Sequence, residues 1–443
     1  MQVINQNIKW YQSKFEAFEQ SLNGAKSTQV HAIRRDAMHR FVELGFPTTR
    51  QEEWRFTNVL PITKIEFQPI LRYELNGVTK QDIQRYILDD AVRLVFVNGI
   101  FSPELSDIGS LPTGMEAGNL TEILNNHPKI IQPYINHLAI GEENAFTALN
   151  TSFLWNGAYI SVPQRTVLES PIQLLFIATD REQVYIAQPR NIIIAGIDSQ
   201  FKIVETYIGL AKNTYLTNTV TEIVLGDNSV VEHDKIQIEG MNAYHIGTTH
   251  LQMNAASRYT SNVISLGGSI VRNNLTACFN AENAECILNG LSLGKGTQVV
   301  DNHTVIDHAK PHCSSHELYK SILDDASKGI FNGKVFVRKD AQKTDAKQTN
   351  KTLLLSDDAT INTKPQLEIF ADDVKCTHGA TIGQLDDEQI FYLRSRGIGL
   401  NDARDILTSA FASDVINRIT IEPFRLQVEQ MIHDRLNNNH TSS

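Results

Sequence analysis

Positive charge is scarce in this 443-residue chain: 40 Lys and Arg stand against 50 Asp and Glu, a net charge of −10, and no basic block occurs anywhere. A nucleic-acid partner is recognised through a basic stripe or patch, so that class is set aside. Apolar runs are short as well, and none approaches the roughly 20 residues that cross a bilayer. The opening Met1-Gln2-Val3-Ile4-Asn5-Gln6 has neither the basic nor the apolar region of a signal peptide, which predicts a cytoplasmic protein. Cys278, Cys286, Cys313 and Cys376 are widely spaced without a Cys-x-x-Cys. That argues against a disulfide framework or a zinc knuckle and for buried, reduced thiols. A nucleophile elbow, a phosphate-cradling loop and a paired-carboxylate motif are also lacking, since Gly294-Lys295-Gly296-Thr297 does not have P-loop spacing.

What is present is a repeat. Ser199, Asn228, Ala256, Ala284, His312 and Ala341 each open an apolar run, at steps of 29, 28, 28, 28 and 29 residues. Thr248, Thr276 and Thr304 follow the same 28-residue step half a unit out of phase. Inside each unit the residues are β-branched, polar and short in period, with Gly, Asn and Asp clusters between runs such as Gly226-Asp227-Asn228 and Gly267-Gly268. This predicts two strands and two turns per unit rather than a helical repeat. A single unit cannot bury its apolar face; stacking like units every ~4.8 Å pairs each strand with its neighbour. The fold class expected is therefore mainly β, a flattened parallel β-helix with two strands per coil of about 28 residues, flanked by N-terminal mixed α/β and C-terminal helical segments. The six steps from Ser199 to Asp373 predict a stack of roughly 30 Å whose open ends need a cap or a partner.

Length beyond one growing core suggests two or three domains, placed here at 1–155, 156–385 and 386–443. Tyr11, Phe15, Phe18 and Leu22, then Ile33, Ala37, Phe41 and Leu44, repeat at helical spacing and stop at Gly24 and Gly45. Val92 to Val97 reads as a strand and Asn98-Gly99 as a hairpin turn. The stretch from Pro47 to Thr57 reads as a loop pinned by burial of Trp54. Helices are predicted at about 387–396, 401–417 and 423–436, with Ile406, Leu407, Ala410, Phe411 and Val415 on one apolar face.

Two groupings carry metal-ligand chemistry. His303, His308, His312, Cys313 and His316 are dense, but they straddle a turn holding Pro311, and the plainer reading is polar residues on successive turns. In Lys375-Cys376-Thr377-His378-Gly379 a strand puts Cys376 and His378 on one face, where thiolate and imidazole suit iron, copper or zinc. Two ligands do not close a site, so the remainder would come from a partner chain.

The segments Gly329-Ile-Phe-Asn-Gly333, Asn350-Lys-Thr-Leu-Leu354, Thr363-Lys-Pro-Gln-Leu-Glu-Ile369, Ala371 to Thr381 and Asp387 to Gly397 resemble the SufB/SufD family of iron–sulfur cluster assembly proteins. Weaker resemblance runs back through Gly157-Ala-Tyr-Ile and Glu52-Glu-Trp-Arg-Phe-Thr57. Gly379 and Leu393 side with its SufD branch, because SufB typically has Glu and Cys there. The resemblance implies a right-handed parallel β-helix and a non-catalytic scaffold. It implies pairing with SufB and with the ATPase SufC, the latter docked at the C-terminal helices through Ile406, Leu407, Phe411 and Val415. It implies no stably bound cofactor, with iron or a cluster held transiently by His378 and Cys376 at the partner interface. A homodimer of the isolated chain and a flavin are left open. The competing readings are a β-helix carbohydrate-active enzyme and a purely structural solenoid adaptor.

Overall fold

The computed structural model describes residues 2–22, 28–135, 138–139, 141 and 144–437. Eight pairs of strands wind into a parallel solenoid, from Ala158–Val162 with Ile172–Ala178 to Thr360–Ile369 with Lys375–Gly383. One strand of each pair joins an 11-stranded sheet and the other a 10-stranded sheet. Alternation puts every second residue inside, where Phe201, Val231, Tyr259 and Cys286 form one column and Leu225, Met253 and Phe279 another.

The corners explain both the period and its errors. Asp198, Asn228, Ala256, Asn283, His312 and Lys343 occupy the left-handed region, with φ between 54° and 63°. Most donate their N–H to the corner of the next coil, as Asn228 does to Ala255 at 2.8 Å and His312 to Gln342 at 2.9 Å. The next residue along is buried and small: Ser199, Ser229, Ser257, Ala284, Cys313 and Thr344. Asn228, Ala256 and His312 therefore stack as expected, whereas Ala284 and Ser199 belong to the neighbouring column and Ala341 lies two residues before its corner, Lys343. The threonine register is corrected more fully, because Thr248 pairs with Asn274, Thr276 with Val305 and Thr304 with Gly333. Corners differ in length, four residues at 266–269 against five at 239–243, so a fixed step drifts between columns.

The solenoid also draws on chain before residue 156. Val92–Val97 adds a parallel strand beside Ile172–Ala178, and Phe96, Phe176 and Tyr207 stack at 4.8 and 4.6 Å. Asn98 and Gly99 form the two-residue hairpin at φ 51° and 83°, pairing Val97 with Ile100. Glu116–Asn119 pairs antiparallel with the first coil. The start of the stack is thus covered by chain that precedes it.

Two amphipathic helices, Gln2–Ser21 and Gln29–Leu44, pack Tyr11, Phe15, Phe18 and Phe41 with Phe46, Trp54, Phe146 and Phe153. Thr28 caps the second by accepting from the His31 N–H, and Gly45 ends it at φ 61°. Gly24 lies outside the described residues. At the other terminus Asp387–Ser395, Leu400–Ile416 and Glu422–Asn437 follow the last coil. The latter two cover the outer face of the 10-stranded sheet, where Ala412, Val415, Phe424, Val428 and Ile432 meet Val204, Ile236, Ile264 and Leu291.

Candidate functional site

Nothing pairs with the outer edges of Thr360–Ile369 and Lys375–Gly383 among the described residues. In a parallel ladder a residue aims its N–H and C=O to one side and the next residue aims them to the other. Lys375 donates to the Thr344 carbonyl at 2.8 Å, so 375, 377, 379 and 381 bond the coil beneath and Cys376, His378, Ala380 and Ile382 face the free edge. On the companion strand Thr360 donates to Ser327 at 3.0 Å, which puts Pro365 among the outward set, where its missing N–H costs no ladder bond. Apolar side chains gather beside this end: Phe370 is 58% exposed and Ile382 52%.

Cys376 pairs with Ala346 and His378 with Gln348, both of which are buried inside the coil. The two candidate ligands therefore share the interior-facing side of the strand, at the mouth of the solenoid. Cys376 is half-buried against Val335, Val337, Ala341 and Ala346, and burial pushes its thiol pKa up. His378 is exposed. Below the mouth the interior turns polar. Gln348 donates from Nε2 to Glu317 Oε2 at 2.6 Å, and Gly333 makes room, since a Cβ there would sit 2.2 Å from that nitrogen. Burial pushes the Glu317 carboxyl up to about 7. The alternation rule places these residues in one column, but composition and period contained no sign of a carboxyl group beneath His378.

The five-residue His/Cys grouping is dispersed. His303 lies on the outer face of the 11-stranded sheet, 3.2 Å from Glu53 and 2.9 Å from Asp301. His308 is interior, its Nε2 2.9 Å from Ser315 Oγ. His312 is a corner, Cys313 is buried and His316 is on the outside of the other sheet. Among the described residues no group of three or more His, Cys, Asp or Glu side chains is arranged to hold a metal ion.

The Trp54 stretch is more than a pinned loop. Its short turn Glu52–Trp54 carries the buried indole under the Arg272 guanidinium at 3.8 Å. Arg272 donates to the Glu53 carbonyl and to Asp301, both at 2.7 Å, Thr57 donates to Asp301, and Lys364 pairs with Glu52. Burial opposes charge on Asp301, yet His303 and Arg272 hold its carboxyl below the usual range. Between this strap and the last coils lies a cleft of about 770 Å³. The sequence signal that was available is the 29-residue separation of Arg272 and Asp301, one coil apart on one outer column.

The apolar face read on the penultimate helix is divided by the structure. Val415 is fully buried against the solenoid and is corrected from a docking residue to a core residue. Phe411 is half-buried beneath Lys320, whose ammonium lies 4.3 Å from the ring and donates to the Phe411 carbonyl at 2.8 Å. Leu407 is half-buried, and Ile406 is 46% exposed; Leu400, Phe391 and Tyr392 are exposed as well. No helix among the described residues is long and apolar enough to cross a membrane.

Comparison with known proteins matches this chain to two family models. Residues 176–411 match "SUF system FeS cluster assembly, SufBD core domain", and residues 5–174 match "SufBD protein N-terminal region". An iron–sulfur cluster assembly SufBD family protein of Synechocystis is 34% identical over 424 residues, covering 94% of this chain and 93% of the relative. The iron–sulfur cluster assembly protein SufD of Escherichia coli is 31% identical, covering 93% and 94%, and that of Bacillus subtilis 25%, covering 91% and 93%. With both halves of the chain matched and relatives aligned almost end to end, the protein belongs to the SufBD family of iron–sulfur cluster assembly proteins.

Proposed function

We propose that this chain is the non-catalytic scaffold subunit that pairs with SufB and the ATPase SufC, in the cytoplasm, and offers His378 to an iron–sulfur cluster as it forms. The observation that carries this reading is the uncovered last coil. It exposes a row of outward N–H and C=O groups, apolar neighbours and a His/Cys pair at one place. An unpaired edge of that kind demands a partner strand. A second copy of the chain satisfies it when SufB is lacking, which gives a homodimer; SufB satisfies it in the complex. His378 and Cys376 supply part of a ligand set that is incomplete on this chain, so iron or cluster is cargo shared across the interface rather than a resident cofactor. The exposed Ile406, with the half-buried Leu407 and Phe411 of the same helix, is assigned to SufC, and Phe391, Tyr392 and Leu400 are further exposed apolar residues of the C-terminal segment.

The test is copurification of the chain with SufB and SufC, followed by His378→Ala in the assembled complex. The expected result is a folded complex with normal SufC binding that fails to mature client iron–sulfur enzymes, and a milder loss for Cys376→Ala. Maturation at the wild-type rate by the His378→Ala complex would remove His378 from the reaction. Failure to copurify with either partner would reject the scaffold assignment as a whole.

A further inference from the structure

A histidine that binds a metal ion through one ring nitrogen needs its other N–H held by an acceptor, which fixes both the tautomer and the ring plane. His378 stands at the end of the interior column formed by Leu288, Glu317 and Gln348. Gln348 is 2% exposed and its nitrogen is committed to Glu317, which orients the amide and turns the oxygen the other way. That oxygen has no partner among the described residues although it is buried. One strand spacing of about 4.8 Å, with both side chains on the same face, brings it within reach of the imidazole. Asn350 also has a buried, unpartnered amide oxygen, its nitrogen donating to Tyr319, but it lies beneath Ala380, two residues further along the strand than Gln348, and Ala346 beneath Cys376 has no acceptor side chain.

We propose that Gln348, anchored by Glu317, is the positioning residue for His378, its amide oxygen accepting the imidazole N–H so that the other ring nitrogen is left free for the cluster. The purpose rests on the ligand role proposed above for His378; the contact itself does not. The other titratable groups of this part of the interior leave the arrangement undisturbed. Burial pushes Tyr319 and Cys286 up and His308 down to about 4, so all three are neutral, while Asp345, Lys347 and Lys351 project from the opposite side of their strand.

The experiment is two-bond ¹H–¹⁵N NMR on the full chain with labelled histidine at pH 8, the His378 signals being identified by their loss in His378→Ala. A single dominant tautomer is expected for the wild-type chain. Gln348→Leu is expected to give a mixture of the two tautomers, and Gln348→Glu, which keeps an acceptor, to restore one. Glu317→Gln, nearly isosteric, provides the second variant: it frees the Gln348 amide to turn, so a mixture is expected there too. One unchanged tautomer in both Gln348→Leu and Glu317→Gln overturns the proposal, and either variant reports if the other fails to fold. Cluster maturation is not needed for this readout. A His378→Ala complex that matures normally would therefore reject the ligand role, while the tautomer result would still decide the contact.

Discussion

Among the described residues Arg190 is the largest completely buried side chain, and its partners show why it is tolerated. Its Nε donates to Glu222 at 2.9 Å and its Nη1 to Thr151 at 3.1 Å, while the other oxygen of Glu222 accepts from the N–H groups of Leu138 and Ala139. One ion pair thus ties the helix Ala145–Ser152 and the 138–139 segment to the second and third coils. Arg190→Met leaves the Glu222 carboxylate buried without its cation, and a loss of roughly 3 to 5 kcal/mol in unfolding free energy by urea titration is expected. Adding Glu222→Gln should recover part of it. Glu317 makes the opposite electrostatic statement. Burial raises its carboxyl from the usual 4.5 to about 7, so the fold favours the protonated acid. Its contribution is full below about pH 4.5 and is lost as pH rises through about 7, a fall on the order of 3 kcal/mol. Urea titrations at pH 5 and pH 8 check the sign: Glu317→Gln should flatten this slope and show its greatest relative gain at pH 8.

At the scale of elements, the free edge and the penultimate helix carry opposite constraints. Pro365 already occupies an outward position on one edge strand without breaking the ladder, and Ala380 is the comparable place on the other, beside His378. Ala380→Pro removes one outward donor and keeps the bonds to the coil beneath. Pairing with SufB, measured by surface plasmon resonance, should weaken by roughly tenfold, about 1.4 kcal/mol, with little change in melting temperature. An unchanged affinity would place the SufB contact elsewhere. On Leu400–Ile416 the exposed member of the apolar face is Ile406. Burying such a side chain contributes about 1.5 to 3 kcal/mol, so Ile406→Asp should weaken SufC binding at least tenfold while the chain stays folded.

At the scale of the molecule, the two ends of the solenoid are treated differently. Chain that precedes the first coil covers it through Val92–Val97 and Glu116–Asn119, whereas the last coil is left open and carries the candidate ligands. The C-terminal helices are part of the solenoid's own core: Phe424, Val428, Ile432 and Leu436 seal Ile236, Ile264 and Leu293. Deleting residues 400–443 would therefore expose a continuous apolar face, and light scattering should show aggregation rather than a folded chain that merely lacks SufC binding. Point substitution at Ile406 separates docking from folding; truncation does not.

The sequence by itself determined the kind of order this chain adopts. Alternation in short runs separated by Gly, Asn and Asp is enough to demand strands and corners, and a near-constant step is enough to demand stacking, because both patterns record local geometry. The three C-terminal helices and the Asn98-Gly99 hairpin were legible for the same reason. The placement of Cys376 and His378 on one face followed from the two-residue period of a strand. Tertiary structure decided what no local pattern records. Corner lengths that vary by a residue decided which columns form, so Ala284 and Thr276 fell beside the places the fixed step assigned them. Packing on the solenoid turned Val415 inward and left Ile406 outside. Contacts between residues far apart in the chain, such as Glu53 with His303 and Trp54 with Arg272, decided where the N-terminal strap lies. The same holds for the column beneath His378, because each member comes from a different coil and only stacking brings a carboxyl, an amide and an imidazole into line.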